Sequence, residues 1–128
     1  MFIKHIDWLD KEAREAAVLL SDGIIVILCF SHPFSGVVGD KLTEPIHCLD
    51  AENITVADNH KAYVKRKNSL GYFGYSVCGK FIDRKNQIVL LGNATLSLGN
   101  VYIPNDISEG SYITFDVGRL DIWMDTTK

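Results

Sequence analysis

Two short runs hold the residues best suited to chemistry, Cys29-Phe30-Ser31-His32 and His47-Cys48. Thiolate and imidazole are the donors zinc takes in tetrahedral geometry, usually with one close pair fixing the first two ligands. Cys29 and His32 stand at a tolerable Cys-x-x-His spacing. His47 and Cys48 are adjacent, and neighbours on an extended chain point to opposite faces. At most three of the four can meet at one ion unless 47–48 turns, so no metal site is assigned and no cofactor is expected. The same residues could pair a thiol with an imidazole for nucleophilic attack, which needs a depressed thiol pKa. No Asn or Asp can be assigned to orient the base, and no cysteine-enzyme signature surrounds either thiol. The plainer reading is a buried Cys29 ending an apolar strand, with the histidines in surface loops. The carboxylate pairs Asp7/Asp10, Glu12/Glu15 and Asp116/Asp121 read as solvated charge, and no glycine-rich phosphate loop occurs. No catalytic residue is therefore assigned, and a non-enzyme is expected.

A different chemistry is concentrated between Lys61 and Lys85. Seven of the thirteen cations lie there (Lys61, Lys65, Arg66, Lys67, Lys80, Arg84 and Lys85), with a single acid, Asp83. Tyr63, Tyr72, Phe73, Tyr75 and Phe81 are threaded among them. Cations beside aromatics can track phosphates and stack bases, or meet an acidic partner. Alternation puts Phe73, Tyr75, Val77 and Phe81 on one strand face, expected in the core, and Tyr72, Ser76 and Lys80 on the other. The candidate ligand-binding residues are thus Tyr63, Lys65, Arg66, Lys67, Tyr72 and Lys80.

Charge weighs against nucleic acid as the ligand. The chain sums to −3 with a pI near 5.7, whereas nucleic-acid-binding domains are usually dominated by basic surface. The charge is also split: residues 1–60 hold four Lys/Arg and ten Asp/Glu, and residues 61–128 hold nine and six. Opposite-signed halves suit a charged protein partner. Trp8, Phe34 and Trp123 are candidate anchors for one, while His5 and His60 have no assignable partner and are expected to face solvent.

The elements that must position these residues read as strands. At 128 residues, 47% of them hydrophobic, the chain can bury one sizeable core as a single domain. Three cysteines, Cys29, Cys48 and Cys78, are an odd number and suit a reducing compartment. The longest apolar run, Ile24 to Phe30, is too short to cross a bilayer. The expectation is a bacterial-type cytoplasmic protein with no membrane contact.

Gly71 to Asp83 alternates as one long strand, with glycines at 74 and 79. Gln87 to Leu91 and Ala94 to Leu98 flank a Gly92-Asn93 hairpin turn, with Ala94, Leu96 and Leu98 on one face. The last strand starts at Ser111; Ile113, Phe115 and Val117 set one phase and Leu120 and Ile122 another. An extra residue at Gly118 would be a bulge that keeps both sets facing one core. Arg119 and Asp121 sit beside that flip. In the first half, residues 10–20 fit a short helical stripe, but the Ser21-Asp22-Gly23 turn and β-branched 24–30 favour a strand over Glu15–Leu20. Val37 to Asp40 and Ile54 to Val56 read as further short strands.

Seven or so strands with regular turns predict an all-β domain, either a small closed or partly open barrel or, as second choice, a β-sandwich. The long coiled strand, tight hairpin and bulged last strand resemble an OB-like barrel over the second half, without any family motif. The function expected from all this is a non-catalytic, protein-binding module of regulatory, accessory or immunity type. An OB-type single-stranded nucleic-acid binder and a Cys/His metal or thiol site are the alternatives.

Overall fold

The chain is all β. In the computed structural model, whose described residues are 1–58 and 60–124, eleven strands form one mixed, largely open sheet. They are β1 (Phe2–Asp10), β2 (Glu15–Ser21), β3 (Val26–Ser31), β4 (Ile46–Leu49), β5 (Glu52–Val56) and β6 (Tyr63–Arg66), then β7 (Tyr75–Asp83), β8 (Ile88–Leu91), β9 (Ala94–Ser97), β10 (Tyr112–Val117) and β11 (Arg119–Asp121). Their order across the sheet is β1-β2-β3-β11-β4-β9-β8-β7-β10-β5, with β6 beside β7. Among the described residues there is no α-helix, only one 3-10 turn at Asn68–Leu70.

The run from Tyr112 to Asp121 organises this order. Its first half, β10, pairs with β7 and β5; its second half, β11, pairs with β4 and β3. Val117 and Leu120 are both fully buried in the same core, three positions apart. Strict alternation would send one of them outward, so the extra residue, Gly118, absorbs the change of phase. Its N–H donates to the Leu49 carbonyl at 3.0 Å, which keeps the kink paired. The flip read at Gly118 is thus a real bend in the chain.

β2 shows why the helical stripe at 10–20 loses. Ala16, Val18 and Leu20 enter the core, and β2 is hydrogen-bonded on both edges, to β1 and β3. Two ladders outweigh the modest helix propensity of a short run. The turn that follows is built by Asp22, whose Oδ1 accepts from Ile24 and Ile25 N–H at 2.9 and 2.8 Å. Its Oδ2 takes the Asn93 N–H at 3.3 Å, tying this turn to the Gly92-Asn93 hairpin.

Several expectations are corrected. No closed barrel forms: β1 to β3 extend the sheet beyond β11, and β5 ends it as an edge, so the two ends do not meet. The short N-terminal helix is absent. Residues 37–40 are loop rather than strand: Val37 and Val38 are exposed, the Asp40 N–H turns back to the Val37 carbonyl, and only Gly39 and Asp40 bond to β1, both at Ile3. Strand β7 begins at Tyr75, so Phe73 lies outside it, half-buried, while Tyr75, Val77 and Phe81 do reach the core.

At Gly79 the side chain and backbone of β8 lie close against β7. A Cβ there would stand 2.5 Å from Val89 Cγ1 and 2.8 Å from the Leu90 carbonyl oxygen. Gly79→Ala should therefore cost about 1–3 kcal/mol of stability. Urea unfolding measures it; an unchanged midpoint would show that β8 yields freely.

Candidate functional site

Strand β6 lies along the first half of β7, pairing Tyr63 with Cys78, Val64 with Val77, Lys65 with Ser76 and Arg66 with Tyr75. Cross-strand partners share a face, so this register sorts the candidate residues. Tyr63 and Lys65 fall on the face opposite the core side chain Val77, and Lys67 continues their phase, its N–H bonded to the Gly74 carbonyl at 3.0 Å. Lys80 shares that face but stands four residues beyond Ser76 along β7, about 13 Å away. Arg66 goes to the other face with Tyr75. The six candidates therefore do not form one patch. Lys65 and Lys67 come together, Arg66 joins Tyr72, and Lys80 stands apart.

Arg66 and Tyr72 begin a connected ladder. Arg66 Nη2 donates to the Tyr72 carbonyl at 2.6 Å, and its guanidinium carbon lies 5.3 Å from the Tyr72 ring and 5.6 Å from the Tyr75 ring. Tyr72 meets Phe73 edge-on at 5.0 Å, and Phe73 meets Phe30 edge-on at 5.9 Å. Arg119 then covers Phe30 at 4.1 Å and is gripped by Asp121 through two bonds, Nε–Oδ1 at 2.6 Å and Nη2–Oδ2 at 2.9 Å. Edge-to-face rings and arginine over aromatic faces are favourable contacts, each worth about 0.5–1.5 kcal/mol. Phe30 and Arg119 are members that sequence reasoning missed, and Phe73 was assigned to the core; the signals were the place of Phe73 in the cationic stretch and of Arg119 and Asp121 beside the Gly118 flip.

The loop that carries Tyr72 is tightly built. Leu70 N–H bonds to the Lys67 carbonyl at 3.0 Å and Gly74 N–H to the Gly71 carbonyl at 3.1 Å. Gly71 holds φ +100°, and a Cβ on Gly74 would stand 2.5 Å from Leu70 Cβ. Tyr72 nonetheless keeps 64% of its surface exposed. It is an aromatic presented to solvent from a fixed base.

Lys67 turns to a buried carboxylate. Its Nζ lies 2.8 Å from Asp116 Oδ2, which also accepts from Asn53 Nδ2 at 3.1 Å. Asp116 is only 7% exposed. The Lys67 hydrogen bond, with help from Asn53 and Ser76, holds its carboxyl below the ordinary carboxylate range despite burial.

The cysteines and histidines do not assemble into a site. Cys29 is buried in the core, whereas His32 is exposed. His47 stacks on Trp123 at 3.7 Å, and burial lowers its pKa. Burial also pushes the Cys29 thiol well up and Cys48 up to about 12, the reverse of what a nucleophile needs. Among the described residues no group of three His, Cys, Asp or Glu side chains could hold a metal ion. Of the other expected anchors, Phe34 is fully buried with Trp8 packed on it at 5.8 Å, and Trp123 remains 64% exposed. His60, expected to be unpartnered, stacks on Tyr112 at 5.5 Å.

No protein-family model, curated protein or solved structure matches this chain.

Two measurements check this geometry. Because the folded pKa of Asp116 lies below its unfolded value of about 3.9, its contribution is complete above that value and is lost as pH falls through the folded pKa. Asp116→Asn should thus cost about 1–3 kcal/mol at neutral pH, a gap that closes as pH falls through the lowered folded pKa; a gap constant with pH would refute the assignment. Iodoacetamide at neutral pH should leave Cys29 and Cys48 unmodified in the folded protein and label both in urea. Stoichiometric labelling of either native thiol would contradict the shifts.

Proposed function

We propose that this chain is a non-catalytic protein-binding module whose contact surface centres on the Arg66–Tyr72–Phe73–Phe30–Arg119 ladder. The observation that carries this reading is that the two arginines of the ladder, and Lys67 on the opposite face of β6, are already engaged. Lys67 is held by Asp116 and Arg119 by Asp121, at 2.6–2.9 Å, and Arg66 is held by a carbonyl and two rings. A nucleic-acid backbone would have to compete with those carboxylates, and the release of counterions that drives such binding would be small.

A protein partner makes different demands. Tyrosine and arginine are enriched at the energetic centres of protein interfaces, and rigid anchors lose little freedom on binding. The ladder supplies both residue types on a fixed loop. Segregated charge along the chain supports steering of a charged partner, in keeping with a regulatory, accessory or immunity-type role in a reducing cytoplasm. The proposal extends to the fold: the bent run 112–121, pairing on both edges of both halves, supports a partly open, OB-like layout.

The test is capture from native lysate by the wild-type chain and by Tyr72→Ala and Lys65→Glu variants of unchanged unfolding midpoint, with and without nuclease. The expected result is a protein captured by the wild type despite nuclease and reduced about tenfold or more by Tyr72→Ala. Capture that nuclease abolishes and Lys65→Glu weakens would instead establish the nucleic-acid reading. Capture indifferent to Tyr72 would move the surface elsewhere.

A further inference from the structure

The sheet ends at β5, and the free edge of that strand is open. The Ala57 N–H donates to the Tyr112 carbonyl at 2.9 Å, so Ala57 and, by alternation, Thr55 turn their backbone groups toward β10. Val56 therefore turns its N–H and C=O the other way, together with the Ile54 carbonyl. Among the described residues no strand pairs with this side of β5. A row of unused backbone donors and acceptors is a template for another strand.

Three contiguous depressions, of about 540, 460 and 350 Å³, run along this edge. The first two share Ala51 and Val101; the second and third share Ile54 and Pro104. Together they form a trough between β5 and the loop 101–107. The far wall presents Val101, Tyr102 and Pro104, with Tyr102 76% exposed and Ile107 buried behind them. That wall is fixed from behind. Gln87 bonds to both the carbonyl and the N–H of Val101, at 2.6 and 3.1 Å. The Arg84 guanidinium bonds to the carbonyls of Ile103 and Pro104, at 3.3 and 3.2 Å, and to that of Ile107.

The trough has one sign of charge. Among the described residues that line it, the charged ones are Asp50, Glu52 and Asp106. We propose that the β5 edge takes an extended, basic peptide by strand addition. Backbone pairing to Val56 and Ile54 supplies the affinity, the apolar wall accepts alternate side chains, and the carboxylates select lysine or arginine on the others. A second copy of this chain suits the site poorly, since docking β5 on β5 would bring the two acidic rims together. The trough comes nearest the ladder at Leu70 and Gly118, close in sequence to Tyr72 and Arg119, but none of its lining residues is a member of the ladder.

The probe is a short synthetic peptide of alternating valine and lysine, titrated into the full chain and followed by NMR. Shifts are expected at β5 and at 101–107. N-methylating alternate amides of the peptide, or replacing its lysines with glutamate, should weaken binding about tenfold or more. Val56→Pro should do the same, and proline there removes no bond to β10 because the N–H points away from it. The combined Asp50→Asn, Glu52→Gln and Asp106→Asn change should lower affinity and flatten its salt dependence, while Tyr72→Ala leaves binding intact. Absence of binding, or equal binding of the N-methylated peptide, overturns the proposal. So does a concentration-dependent dimer that Val56→Pro dissolves, which would assign the edge to a second copy.

Discussion

Everything in this fold passes through one bent run of chain, Tyr112 to Asp121. A straight strand can offer a single buried face and a single pair of neighbours. With Gly118 as an extra residue, this run offers its core face twice, through Val117 and then Leu120, and changes neighbours on the way. The constraint is the period-two geometry of the strand itself: without the inserted residue, one half of the run would turn its apolar side chains to water. The positions of β3, β4, β5 and β7 relative to one another all follow from that bend.

The bend also brings Arg119 beside Phe30. β11 pairs with β3 through Asp121 and Phe30, and the side chain of Arg119, pinned by Asp121, closes over the Phe30 ring. From there the contacts run outward to Tyr72 and Arg66. The same run, through β10, supports β5 on its other edge. One strand therefore underlies two surfaces of different chemistry, an aromatic one whose arginines are engaged by rings, a carbonyl and Asp121 and an acidic trough beside unpaired backbone. Because both rest on a rigid core strand, binding at either need not pay for ordering a loop.

Much of this was legible from the residues. The alternation of Tyr75, Val77 and Phe81, the Gly92-Asn93 hairpin and the phase flip at Gly118 are local patterns, and each appears where its residues predict. Strand β1 was not legible, because an edge strand reading Phe-Ile-Lys-His-Ile-Asp-Trp-Leu-Asp buries almost none of its side chains and so lacks clean alternation. Val37 and Val38 misled for a different reason: their β-branched side chains carry strand propensity, but the contact with β1 is made by the residues after them, Gly39 and Asp40. Among the candidate residues, Arg66 and Tyr72 lie together, but the run of cations along the chain is not one patch. Alternation between β6 and β7 divides it between two faces.

The sequence by itself determined that the protein is all β, where its tight turns and bulge fall, and that its thiols and histidines lack the spacing of a metal knuckle. These are short-range properties, set by steric alternation and turn chemistry within a few residues. Only the tertiary structure decided that the sheet stays largely open, that Lys67 is committed to Asp116, that Phe30 and Arg119 complete a ladder begun at Arg66, and that β5 is left as an edge. Each of those depends on which strand lies beside which, and strand order is fixed by burial of one shared core across the whole chain rather than by any local run of residues.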